Sequence, residues 1–304
     1  MKSEADLERL VTEIATRVHA RLQQSGGRGA LPVVNEGPCS ATKEQCGGEG
    51  LCATRRPHSM DKMKDLGAVR FSAAPGIGPI RKDLARMIDH TLLKADATRD
   101  EVQKVCKEAV TYDFYSVCVN TTQVPNAARF LAGSNVKVCA VVGFPLGATL
   151  PHAKAFETRE AVRAGAREID MVVNIGALKS GEYGLALEDI RGVVEAARPY
   201  PVKVILETGG LSDEEKVVGC VLSKCAGAAF VKTSTGFGPG GATTADVALM
   251  RRIVGAEMGV KASGGVRTTE DADKMKDAGA DRIGASASIA IVMGQKADPK
   301  KKGY

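Results

Sequence analysis

The sequence has no tryptophan, and only five tyrosines, seven phenylalanines and four histidines in 304 residues. So few rings leave little on which to stack successive bases. Charges of both signs are interspersed around a net of +6, so no nucleic-acid surface is expected. No apolar run reaches the 18 or more residues that a membrane-spanning helix requires. The N-terminus is charged and lacks the apolar stretch of a secretory signal, so the eight cysteines do not read as a secreted disulfide framework. Beyond residue 80 the only histidines are His90 and His152, with no HxH or HExxH spacing, and no metal centre is expected there. These absences leave a soluble, cytoplasmic enzyme with neither nucleic acid nor membrane as partner.

From Arg81 onward, short apolar, β-branched runs alternate with helical stretches. Eight runs stand out, at 87–92, 116–120, 136–143, 168–174, 202–208, 229–235, 260–263 and 282–286. Near-continuous hydrophobicity of this kind suits parallel strands covered on both faces. Eight such units in about 215 residues predict a (β/α)₈ barrel over 81–295, in preference to an open doubly wound sheet. An internal repeat supports the count. Ala164-Gly165-Ala166, Ala226-Gly227-Ala228 and Ala278-Gly279-Ala280 each close a helix and lead into a strand, the glycine serving as left-handed cap.

Five residues beyond those glycines stand Asp170, Lys232 and Gly284, toward the C-terminal ends of strands four, six and eight, where barrel enzymes carry their chemistry. Lys232 ends the apolar run Ala229-Phe230-Val231, and Lys261 lies on the neighbouring seventh strand. Desolvation and a second cation both disfavour a charged lysine, which favours an amine nucleophile able to form a Schiff base with a carbonyl. Asp170, inside Glu168-Ile169-Asp170-Met171-Val172, is a costly carboxylate without a partner or a role in proton transfer. Asp89 is expected at the equivalent end of strand one, as an assisting acid or as an acceptor for the loops. Ser263-Gly264-Gly265-Val266-Arg267 and Gly284-Ala285-Ser286 follow strands seven and eight, where Gly-rich turns cup phosphate groups. The hydroxyls of Thr233-Ser234-Thr235 are candidate substrate contacts.

Over residues 84–292 these motifs resemble the deoxyribose-phosphate aldolases, class I aldolases on a (β/α)₈ barrel. The resemblance is carried by Ile88-Asp89-His90-Thr91-Leu92-Leu93-Lys94, Glu168-Ile169-Asp170-Met171-Val172, Phe230-Val231-Lys232-Thr233-Ser234-Thr235-Gly236, Lys261-Ala262-Ser263-Gly264-Gly265-Val266-Arg267-Thr268 and Arg282-Ile283-Gly284-Ala285-Ser286. It implies reversible cleavage of 2-deoxy-D-ribose 5-phosphate to acetaldehyde and D-glyceraldehyde 3-phosphate, without a cofactor or metal. Lys232 would form the imine, Lys261 would depress its pKa, and Asp170 would relay protons through a water with Asp89 assisting. Gly264, Gly265, Gly284 and Ser286 would bind phosphate, and Thr235 the substrate. Tyr304 matches a C-terminal tyrosine that some members fold over the site, here on a basic tail (296–304) expected to be mobile. Phe237 stands where one branch has lysine, and Ala287 where some members have a second serine. A homodimer or homotetramer is the family expectation. The alternatives are a Schiff-base aldolase for another phosphorylated sugar, or an inactive barrel serving as a cargo adaptor.

The family needs no 80-residue N-terminal extension. Within it, Leu7, Leu10, Val11, Ile14, Val18 and Leu22 recur at three- and four-residue spacing and predict an amphipathic helix over 3–22, in a segment bounded at 1–24. Ser3 with Asp6 three residues on resembles a capping box at its start, of which Glu or Gln would be the stronger form. Such a helix before a linker (25–80) resembles the encapsulation peptides of bacterial microcompartments, with a shell protein as the implied partner; packing on its own barrel or a sister subunit is the other reading. The linker, in which a second short helix is expected near 59–66, clusters Cys39, Cys46, Cys52 and His58, soft ligands without a familiar zinc spacing. They are read as weak candidates for metal binding or for redox crosslinking. Cys106, Cys118, Cys139, Cys220 and Cys225 are expected in the core.

Overall fold

The computed structural model of the chain describes residues 12–14, 16, 17, 20 and 80–295. Eight parallel strands close into a barrel in sequence order: β1 (Ile88–Leu92), β2 (Ser116–Val119), β3 (Lys137–Val142), β4 (Glu168–Val172), β5 (Val202–Ile205), β6 (Phe230–Lys232), β7 (Gly259–Ser263) and β8 (Arg282–Ala285). All eight runs expected from the sequence are strands. Several end sooner than the apolar pattern does, because the last residues of the run turn into the loops at the barrel mouth.

After the short α1 (Lys82–Ala85), the connecting helices are α2 (Arg99–Tyr112), α3 (Val124–Phe130), α4 (Pro151–Ala164), α5 (Ile175–Lys179), α6 (Tyr183–Ala197), α7 (Asp213–Cys225), α8 (Thr244–Val254), α9 (Thr269–Asp277) and α10 (Ser288–Met293). Local chemistry sets their limits. Thr98 with Glu101, Ser212 with Glu215 and Thr268 with Asp271 form reciprocal capping boxes at the starts of α2, α7 and α9. Gly165, Gly227 and Gly279 have φ of +117°, +81° and +108°, the left-handed geometry inferred from the Ala-Gly-Ala repeat.

Alternate residues of each strand point to opposite faces. Outward, Ile88, Val117, Ala140, Ile169, Val204, Val231, Val260 and Ile283 belong to the apolar core shared with the helices. Inward, the alternation places Ser116, Glu168, Phe230 and Arg282 in the lowest layer. Asp89, Cys139, Lys203 and Lys261 come next, then Cys118, Asp170, Lys232 and Gly284. Barrel interiors are normally packed with branched aliphatic side chains; this one carries seven charged groups. A small separate cluster of Leu93, Cys118, Cys139 and Val141 fills part of the remainder.

Of the residues predicted as an N-terminal helix, 12–14, 16, 17 and 20 are helical. Ile14 is buried in the principal core cluster, and Arg17 pairs with Glu214 of α7 at 2.7 Å. The remainder of that helix, the linker helix near 59–66 and the 296–304 tail lie outside the described residues. Cys106, Cys118, Cys139 and Cys220 are buried as expected, whereas Cys225, the last residue of α7, is exposed. It stands beside the exposed Lys224 in the last turn of the helix, where the chain leaves through Ala226-Gly227 and the side chain stays at the surface.

Candidate active site

Lys232 and Lys261 are register partners on adjacent strands. Both ammonium groups donate to the same atom, Asp170 Oδ2, at 2.8 and 2.7 Å, which keeps the two nitrogens within about 5.5 Å of each other. Lys232 is the last residue of β6, so its amine lies nearest the mouth; Lys261 and Asp170 are fully buried beneath it. The three residues singled out in the sequence thus form one contiguous group.

A third lysine completes it. Lys203 donates to Asp170 Oδ1 at 3.0 Å and to Glu168 Oε2 at 2.7 Å, and Cys139 Sγ also donates to Asp170 Oδ1, at 3.1 Å. Glu168 pairs in turn with Arg282 at 3.0 Å. Neither Lys203, Glu168 nor Arg282 was singled out in the sequence, although Lys203 stands in the apolar run Val202-Lys203-Val204-Ile205 just as Lys232 does in its own. Asp89 is the second residue of β1, not at the mouth as expected. It accepts from Ser116 at 2.6 Å and from Arg282 and forms an ion pair with Lys261 at 2.5 Å, so it is an acceptor for strand residues inside the barrel and not for the loops.

Burial by itself would raise the carboxylates' pKa values, but Lys203, Lys232 and Lys261 outweigh it and hold Asp170 well below the usual range. Arg282, Lys261 and Lys203 do the same for Asp89. Burial lowers Lys203 and Lys261, yet Asp170 and its neighbouring acids raise both well above an ordinary lysine, so they stay cationic. Burial pushes the Cys139 thiol up, whereas its hydrogen bond to Cys118 lowers the latter. One ligand atom each of Cys118, Cys139 and Asp170 lies within 4.8 Å of the others. The three lysines and Cys139 already occupy the four accepting positions of Asp170, and the lysines surround it with positive charge, which opposes a cation there.

Above the cluster, Thr235 donates its N–H at 3.2 Å and its hydroxyl to Glu207 Oε2, and Ser263 Oγ donates to Ser234 O at 2.7 Å. Glu207, buried at the end of β5, was missed in the sequence; nothing there announces its backbone geometry. Gly264 and Gly265 take φ of +89° and +82° in the turn after β7, and Gly264 O accepts from Ala242 N at 2.9 Å. A Cβ at Gly265 would meet nothing within 4 Å, so this turn opens onto free space. Ser286, just past β8, is exposed, and Phe237 is half exposed and packs edge-on to Phe144. Tyr304, Cys39, Cys46, Cys52 and His58 lie outside the described residues.

Residues 84–296 match the profile of the DeoC/LacD family aldolases. A deoxyribose-phosphate aldolase of Streptococcus gordonii is 60% identical over 214 residues, 70% of this chain and 97% of that protein. One from Bacillus cereus is 60% identical over 217 residues, 71% and 97% of the two chains. Among solved structures, the tetrameric deoxyribose phosphate aldolase of Aeropyrum pernix superposes with a TM-score of 0.65 at 34% identity, covering 69% of this chain and 89% of that one. The aldolase QR15 gives 0.66 at 40% identity, covering 69% and 94%.

Proposed function

The chain belongs to the DeoC/LacD aldolase family, and on that premise we propose that it reversibly cleaves 2-deoxy-D-ribose 5-phosphate to acetaldehyde and D-glyceraldehyde 3-phosphate, with Lys232 as the residue that carries the substrate. The reaction is that of a class I aldolase, a lyase that works through a lysine imine and needs no metal. The observation that carries the assignment of Lys232 is the pair of lysine nitrogens on Asp170 Oδ2.

The unprotonated Lys232 amine adds to the substrate aldehyde, and the hydroxyl so formed takes up a proton from water and departs as water, leaving a protonated imine. The imine draws electrons from the bond between the second and third carbons. That bond breaks as the hydroxyl on the third carbon gives up its proton, and D-glyceraldehyde 3-phosphate departs. The two-carbon enamine then takes a proton at its terminal carbon, and water releases acetaldehyde and the free amine. Charge favours this sequence. The interior holds four basic groups against three carboxylates, and three of the basic groups are lysines gathered on Asp170. The imine nitrogen then restores a positive charge where the ammonium had faced Asp170. Held by donors on both oxygens, Asp170 is a weak base. It stabilises the imine and passes protons through a water, and Asp89 keeps Lys261 cationic.

The backbone of Gly264 and Gly265, with Gly284 and Ser286, receives the phosphate, and the Thr235 hydroxyl meets the sugar. An inactive adaptor has no use for three lysines buried around one carboxylate, and that cost counts against it. A homodimer or homotetramer is supported by the tetrameric Aeropyrum pernix relative and by the exposed Leu146, Leu150 and Phe156. For residues 3–22, the burial of Ile14 favours packing on the barrel; docking to a shell protein would first require release from it.

Borohydride reduction in the presence of 2-deoxyribose 5-phosphate, followed by peptide mass mapping, tests the assignment. A reduced adduct on Lys232, absent in Lys232→Ala together with turnover, is the expected result. An adduct on Lys203 or Lys261 would overturn it.

A further inference from the structure

Glu207 combines two features that are each expensive. Its backbone is left-handed, with φ +60° and ψ +59°, a conformation disfavoured for any residue with a side chain. Its carboxylate is buried, 5% exposed, and among the described residues Oε1 has no hydrogen-bond partner. The Gly-rich loop after Lys232 lies directly against it. A Cβ on Gly238 would come within 2.7 Å of the Glu207 Cδ. What the carboxylate does engage is Thr235, three residues beyond the imine lysine, through both the backbone N–H and the hydroxyl on Oε2.

A threonine hydroxyl has one proton to give and two positions at which to accept. The carboxylate that receives the backbone N–H acts as acceptor, so the Thr235 proton is committed to Glu207. One accepting position is taken by the Phe237 N–H, at 3.0 Å. The second remains. Thr235 can therefore meet a substrate hydroxyl only as acceptor, and the carboxylate behind it increases its electron density.

We infer that Glu207 is a positioning residue that fixes the Thr235 hydroxyl as an obligatory acceptor for the substrate hydroxyl at the bond that breaks. This rests on the aldolase reading above, since it names the group that Thr235 receives. That hydroxyl loses its proton during cleavage to the water through which Asp170 passes protons, and the contact with Thr235 fixes where its oxygen sits when it does so.

Acetaldehyde provides the discriminating probe, because it forms the imine but carries no such hydroxyl. The variant Glu207→Gly removes the carboxylate and relieves the left-handed strain, so it is compatible with folding. The expected result is a loss in kcat for 2-deoxyribose 5-phosphate of about 10- to 100-fold. Borohydride trapping of acetaldehyde on Lys232 should stay within about twofold of the parent protein. Glu207→Gln, whose amide oxygen still accepts from Thr235, should recover most of the turnover. Thr235→Val should lose as much as the double variant Glu207→Gly with Thr235→Val, because the two act as one unit. Equal losses in cleavage and in acetaldehyde trapping, unchanged cleavage, or strictly additive losses would each overturn the inference while leaving the aldolase reading intact. Failure of the parent protein to trap either aldehyde on Lys232 would remove that reading, and this inference with it.

Discussion

Lys203 makes three of the ion contacts that hold the interior together, yet it stands one layer below the amine that reacts. Replacing it with methionine keeps the length but leaves Glu168 to Arg282 alone and strips one cation from Asp170. Breaking a buried pair in this way is expected to cost about 3–5 kcal/mol at pH 7. The pH dependence has a definite sign. Asp170 and Asp89 lie below their ordinary values, so the stability they confer is present above about pH 4 and is lost as pH falls toward their folded values. Lys203 and Lys261 lie above theirs, so their contribution holds up to about pH 10 and is lost at higher pH. Urea unfolding should therefore show Lys203→Met far below the parent at pH 7, with the gap narrowing at pH 3. A gap of equal size at both would refute the ionic account. Lys232 was legible in the sequence because its apolar run ends at the barrel mouth. Lys203 has the same signature in Val202-Lys203-Val204-Ile205, but it sits early in its strand, where a lysine is more readily read as surface. Glu207 was illegible because its distinguishing property is a backbone angle.

At the level of elements, the Ala-Gly-Ala repeat worked as a ruler. Each glycine caps a helix and fixes the start of the next strand, so counting five residues onward reached the same layer on β4, β6 and β8. No such cap precedes β1, which follows α1 through Arg86 and Met87. Asp89 could not be counted into place, and its depth is set by the pairing of β1 with its two neighbours, Asp89 lying opposite Ser116 of β2 and Gly284 of β8. Gly284 itself occupies the layer of Asp170 and Lys232, where any side chain would intrude. A Cβ there would lie 2.9 Å from the Ser263 Cβ and 3.1 Å from the Lys261 Cε. Gly284→Ala should thus push Lys261 off Asp170. Misplacement of that kind is expected to lower kcat about 100-fold, with overpacking costing about 1–3 kcal/mol. Steady-state kinetics beside thermal unfolding would check both, and near-normal kcat would show that Lys261 has room to move.

For the whole molecule, the sequence located the barrel and its eight strands but left the extension open, because amphipathic spacing tells which face of a helix is apolar and not what covers it. Ile14 and the Arg17–Glu214 pair supply an answer for part of that helix. Removing residues 1–79 should lower the stability of the barrel by about 2 kcal/mol, the worth of burying one isoleucine, while kcat/KM stays within about twofold. A large fall in kcat/KM would instead tie the extension to the reaction. One detail of the closed ring reaches further. Arg81 N donates to Val292 O at 2.9 Å, so the stretch leading into the first strand is stitched to the helix that follows the last. The ring has a seam and no functional starting point. Seamed with a short peptide there and cut at another helix–strand junction, the polypeptide would present the same neighbours in a new order. Lys232, Lys261 and Asp170 would still converge, because their meeting depends on which strands lie side by side and not on the order in which a ribosome makes them.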